Sequence, residues 1–198
     1  MRRFVLSLAI LALASPAKAA AAWDVRDGGI AVQTHADDQG RGVVRASVDI
    51  AAPPAVVFRV ILDCDRAARM SPGVKSCRVV SRAPDGSEIR EHTVKWGFFL
   101  PTLRSTSRVT LEPDREIRFT CIGGDIRACE GSWRLESLDG GARTHVVYDL
   151  WATSPFSVPA GLISGMMRHD VPQSLKALRR ECEGDERRPG APPYMTAR

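Results

Sequence analysis

Residues Arg143–Glu183 read RTHVVYDLWATSPFSVPAGLISGMMRHDVPQSLKALRRECE. The first ten, Arg143–Ala152, carry the alternation of a strand. A loop flanked by prolines follows, Ser154–Pro159. From about Ala160 to Glu183, Leu162, Ile163, Met166, Met167, Val171, Leu175, Leu178 and Cys182 recur at steps of three, four and one. That is helix periodicity. Everything between residues 74 and 152 reads as short strands. A meander of antiparallel strands closed by one long helix predicts an α+β chain whose curved sheet wraps that helix. The space between them is then either filled by side chains or left as a cavity. Met166 and Met167 suit an adaptable cavity wall, and they suit an ordinary core equally well.

Working outward, Val44, Ala46, Val48 and Ile50 alternate with polar positions and define a first strand. Pro53 and Pro54 open a short helix, where a fixed φ and a missing N–H are tolerated. Val56, Val57, Val60 and Ile61 are its buried stripe, and Asp65–Met70 reads as a second helical turn. Strands follow at Val74–Ser81, Glu88–Phe99, Leu103–Glu112, Glu116–Ile122 and Ile126–Leu138. Turn signals separate them at Pro84-Asp85-Gly86, Pro113-Asp114, Gly123-Gly124-Asp125 and Asp139-Gly140-Gly141. Residues 20–41 read as an N-terminal arm or edge hairpin, 42–183 as one domain, and Gly184–Arg198 as a disordered, proline-containing tail.

The start of the chain reads as an export leader. Arg2 and Arg3 precede an apolar run, Phe4–Ala14, and Ala17-Lys18-Ala19 fits small-x-small cleavage near Ala19. The run is too short to span a bilayer, which needs roughly twenty residues. The expected location is outside the cytoplasm, in the periplasm of a Gram-negative cell. Losing Arg2, Arg3 and Lys18 lowers the formal charge of +5 by three. The remaining basic residues are interleaved with acids, so no nucleic-acid partner is expected. An oxidising compartment favours pairing the five cysteines. Cys64 and Cys77 would close a short loop. Cys121 and Cys129 flank the Asp125 turn symmetrically and would face each other across a hairpin. A one-residue register slip would break the second pairing but not the first. Cys182 is left over.

The order of strand, two short helices, six strands and a long helix resembles the START-like, helix-grip superfamily, also called SRPBCC or birch-pollen-allergen-like. The nearer likeness is to its polyketide cyclase/dehydrase and coenzyme Q-binding branch. The resemblance covers about Val43–Glu183. It is carried by Ala52-Pro53-Pro54-Ala55, Pro72-Gly73-Val74, Gly123-Gly124-Asp125, Gly131-Ser132-Trp133-Arg134-Leu135, Thr144-His145-Val146-Val147-Tyr148 and Val158-Pro159. These are fold markers, and one such fold hosts many functions. The resemblance implies a cavity under the long helix for lipids, isoprenoid quinones or polyketides, with transient membrane contact. It implies no cofactor, and a protein partner is not legible.

Alternation nominates the wall. His92, Val94, Trp96 and Phe98 share one strand face. Leu103, Val109 and Leu111 share another, with Ser105 and Ser107 between them. Phe119, Trp133 and Tyr148 continue it, and Leu162, Met166 and Met167 complete it from the helix. A few polar groups in an apolar pocket orient a hydrophobic ligand. A fully packed core is the competing reading. Catalytic signals are weak: no Gly-x-Ser-x-Gly elbow occurs, and the four histidines show no metal-ligand spacing. His92 and Tyr148 are the residues to watch for proton transfer. Three functions stand open: a carrier of a lipid, isoprenoid or quinone-like molecule, a cyclase or dehydratase acting on a polyketide-like substrate, and a secreted protein-recognition module.

Overall fold

The computed structural model describes residues 25–95, 101–126, 128–153 and 160–186; the side chains of 25–27, 160–164 and 186 lie outside that description. Among the described residues, nine strands form one antiparallel sheet: β1 Val25–Asp27, β2 Ile30–Ala36, β3 Gly42–Ile50, β4 Val74–Arg82, β5 Glu88–Val94, β6 Leu103–Glu112, β7 Glu116–Gly124, β8 Cys129–Leu138 and β9 Arg143–Ala152. Their order is β1-β2-β3-β9-β8-β7-β6-β5-β4. Helices α1, Pro54–Leu62, and α2, Cys64–Met70, are inserted between β3 and β4, and α3, Ala160–Glu186, follows β9. Pairing β3 with β9 closes the β4–β9 meander back onto the first long strand. This is the helix-grip architecture.

Strand alternation decides what is sealed. Val44, Ala46, Val48 and Ile50 on β3 are at most 1% exposed. They pair with Leu150, Tyr148, Val146 and Thr144 on β9. Leu175, Leu178 and Cys182 of α3 pack into the same cluster, together with the Val56, Val57 and Val60 stripe of α1. Thr144 is fully buried, and its hydroxyl donates to the Ala52 carbonyl at 2.7 Å, tying β9 to the β3–α1 junction.

Both short helices begin as their sequences demand. Pro54 stands in the first turn of α1, and the Asp63 side chain caps α2 by accepting from the Asp65 N–H at 2.9 Å.

The long helix runs past Glu183, where the tail had been expected to start. Asp185, 8% exposed, accepts from Arg59 of α1 at 2.6 Å and from Arg66 of α2 at 2.9 Å. The Arg66 hydrogen bond is the main cause holding the Asp185 carboxyl below its usual range, against the opposing effect of burial and with help from Arg59. Arg179 adds bonds to the Asp49 and Gly28 carbonyls. The C-terminal half of α3 is thus fastened to three neighbouring elements. Pro172, with no N–H to donate, separates it from the N-terminal half.

Both expected disulfides are present. Cys64–Cys77 fixes the start of α2 to β4, and Cys121–Cys129 joins β7 to β8; each pair has Cα atoms 5.0 Å apart. The β7–β8 register that pairs Phe119 with Gly131 and Thr120 with Glu130 brings Cys121 opposite Cys129, with no slip. Cys182 stays a free, buried thiol. Among the described residues, no helix is long and apolar enough to cross a membrane.

Candidate functional site

Cross-strand pairing lays the concave face out in rows. One row runs Leu111, Ile117, Trp133, Tyr148, Ala46. The next runs Glu88, Val109, Phe119, Gly131, Leu150, Val44. Then come Arg90, Ser107 and Cys121, and finally Cys77, His92, Ser105 and Gly124. Val94 and Leu103 lie beyond, 8% and 4% exposed.

The rows differ in how tightly they are covered. On β3 the concave residues are sealed. On β7–β9, although these strands are central, Phe119, Trp133, Tyr148 and Leu150 are only half-buried. The hydrophobic core is correspondingly split. One cluster joins α3, α1, β2 and β3 with Leu135 of β8 and Val146 of β9, and the other is Val94, Leu103, Cys121, Ile126 and Cys129. Leu150 touches both. One contiguous core is the usual outcome for a single domain. Trp133 and Tyr148 pack against the first cluster and Phe119 against the second.

The aromatics form one surface. Trp133 and Tyr148 have centroids 4.1 Å apart, and Phe119 stacks on Tyr148 at 6.5 Å. Gly131 permits this, since a Cβ there would meet Phe119 Cζ at 2.4 Å. Desolvation raises the Tyr148 hydroxyl well above the ordinary tyrosine range, so it stays protonated.

The sequence reading missed the polar end of this wall. Extended two steps back from His92, the same alternation places Arg90 and Glu88 on the concave face, each 6% exposed. Arg90 donates Nε to Glu88 Oε2 at 2.7 Å, with Nη2 in ion-pair contact with the same oxygen at 2.7 Å, and donates Nη1 to the Leu62 carbonyl at 2.9 Å, satisfying the end of α1. Burial pushes the Glu88 carboxyl up, but hydrogen bonds from Arg82 and Arg90 outweigh it and leave the group below its usual range. Burial, then the Arg90 charge, pushes His92 down. Its imidazole is therefore neutral at neutral pH.

Of the nominated residues, His92, Val94, Val109, Phe119, Trp133 and Tyr148 share the concave face. Met167 packs against the first core cluster, and Met166 is half-buried. Trp96, Phe98 and the Ser154–Pro159 loop lie outside the described residues, as does the side chain of Leu162. An open groove of about 310 Å³ is lined by Thr93, Thr102, Leu103, Arg104, Gly124 and Asp125 at the end of β5–β7.

Residues 50–179 match the family described as polyketide cyclase / dehydrase and lipid transport. The chain belongs to that family. Solved structures with the same fold include a STAR-related lipid transfer protein from Xanthomonas axonopodis, at 18% identity and TM-score 0.70, covering 82% of this chain and 98% of that one. The Zhui aromatase/cyclase from a Streptomyces species is 22% identical, with TM-score 0.59, covering 76% of this chain and 98% of that one. Human STARD10 shares 9% identity at TM-score 0.66, over 82% of this chain and 72% of its own. No curated protein matches the sequence. Within this family the likeness carries the fold; the wall chemistry has to be read from the chain's own residues.

Proposed function

We propose that this chain is an exported binding or carrier protein for a hydrophobic small molecule, held between the concave face of β5–β9 and the N-terminal half of α3. One observation carries the reading: Phe119, Trp133, Tyr148 and Leu150 keep accessible surface on central strands, while their β3 neighbours keep almost none. An isoprenoid or acyl chain covering them gains about 25 cal/mol per Å² of apolar area removed from water. The family's description, which includes lipid transport, supports the same reading. Two disulfides support the export half, since they persist in oxidising compartments, and the Arg2–Ala19 leader supplies the route.

The cyclase alternative needs an acid and a base placed around a polyoxygenated substrate. Neutral His92 supplies a base, but the aromatic surface that dominates the wall favours a carrier. The test is saturable uptake of Nile red, together with native mass spectrometry of protein purified gently from its own host. Trp133→Glu and Met167→Glu, each checked for native circular dichroism, are expected to abolish uptake, and removal of residues 187–198 to leave it intact. Wild-type protein that carries no guest and takes up no apolar probe would return the chain to the protein-recognition reading.

A further inference from the structure

The polar groups of the concave face are gathered on β5 and β6, and the aromatic ones on β7, β8 and β9. Arg90 is cross-strand from Ser107, and His92 from Ser105. The Arg90 guanidinium is already committed to Glu88 and to the Leu62 carbonyl. A guest carboxylate placed here would lose its water beside the buried Glu88 carboxylate, with the nearest cation taken.

His92 is differently placed. It is half-buried on the concave face, and its ring has no hydrogen-bond partner among the described residues. A neutral imidazole offers one N–H donor and one acceptor nitrogen. Ser105 Oγ lies 3.6 Å from Cys121 Sγ. A disulfide sulfur carries no hydrogen, so the serine donates there and keeps its lone pairs for another partner. Together these groups can give one hydrogen bond, from the imidazole N–H, and accept at the other ring nitrogen or at the Ser105 oxygen. That is what a hydroxyl needs, and half of it satisfies a carbonyl.

We infer that the cavity selects an amphipathic guest whose polar end is an uncharged hydroxyl or carbonyl, seated on His92 and Ser105, with its apolar body across Phe119, Trp133 and Tyr148. The same skeleton ending in a carboxylate is disfavoured. This rests on the carrier reading and adds the class of head group.

The experiment is displacement of bound Nile red by three molecules of one chain length: oleyl alcohol, octadecene, and oleic acid at a pH where it is ionised. The alcohol is expected to bind roughly tenfold more tightly than the alkene, about one net hydrogen bond, and more tightly than oleate. His92→Phe and Ser105→Ala should each lower the ratio of alcohol to octadecene affinity, and His92→Gln should keep part of it. The serine variant removes one oxygen and guards against a histidine variant that folds poorly. Oleate binding as tightly as the alcohol, or an alcohol preference intact in both variants, overturns the inference. If Nile red binds but the three displace it equally, the head-group inference alone falls. If Nile red does not bind, the carrier reading falls and takes the inference with it.

Discussion

A Cβ on Gly131 would lie 2.6 Å from the Asp149 carbonyl oxygen as well as 2.4 Å from the Phe119 ring. The ring can move; the backbone carbonyl of the neighbouring strand moves only with the sheet. Gly131→Ala should therefore lower stability by about 1–3 kcal/mol, the usual range for overpacking, seen as a lower urea midpoint at unchanged slope. It should also weaken Nile red uptake, because Phe119 is pushed off Tyr148. Asp185 makes a separate prediction about pH. Its folded pKa lies below the unfolded value of 3.8, so its contribution is complete above that value and is lost as pH falls through the folded one. Asp185→Asn should cost on the order of 3 kcal/mol at neutral pH. Urea midpoints of wild type and variant should converge in acid, and parallel curves down to low pH would show that the ion pair contributes nothing.

The elements are held at their junctions. Cys64–Cys77 spans a sequence separation of 13 and fastens α2 to β4, while Cys121–Cys129 spans 8 within one hairpin. In the chain-entropy model either crosslink is worth on the order of 3 kcal/mol, the shorter loop slightly less. Cys64→Ser with Cys77→Ser should lower the urea midpoint accordingly. Because Cys77 is paired with His92 across β4–β5, the same variant should also blunt any preference for an alcohol end group. Cys121→Ser with Cys129→Ser should lower stability by a similar amount. Cys182 lies far from both pairs in the chain, and burial pushes its thiol up to about 12, so it should resist alkylation until the protein unfolds.

Across the whole molecule, guest and stability are linked. A guest that binds only the folded state at a hundredfold excess over its Kd stabilises by about 2.7 kcal/mol. For a chain of this size that raises Tm by roughly 5–10 °C. Thermal scans with and without saturating oleyl alcohol measure it directly. A Tm that does not move while Nile red is still displaced would mean the probe sits outside the folded cavity.

Local periodicity by itself determined the strands, the proline-opened helix, the long amphipathic helix and which residues share a face. Alternation and helical spacing are set by backbone geometry, and they place Val44–Ile50, Phe119, Trp133 and Tyr148 without knowledge of any neighbour. The hairpin symmetry about Asp125 nominated Cys121 and Cys129, and the β7–β8 register of the folded sheet decided that they pair. Tertiary structure alone decided the fate of the charges. Glu88 and Arg90 obey the same alternation as His92, yet nothing local says that a Glu and an Arg will turn inward; they do so because each neutralises the other and the end of α1 supplies a carbonyl. Asp185 likewise belongs to a polar stretch that reads as tail until Arg59 and Arg66, more than a hundred residues earlier in sequence, meet it. Burying a charge depends on partners that only the folded chain brings together.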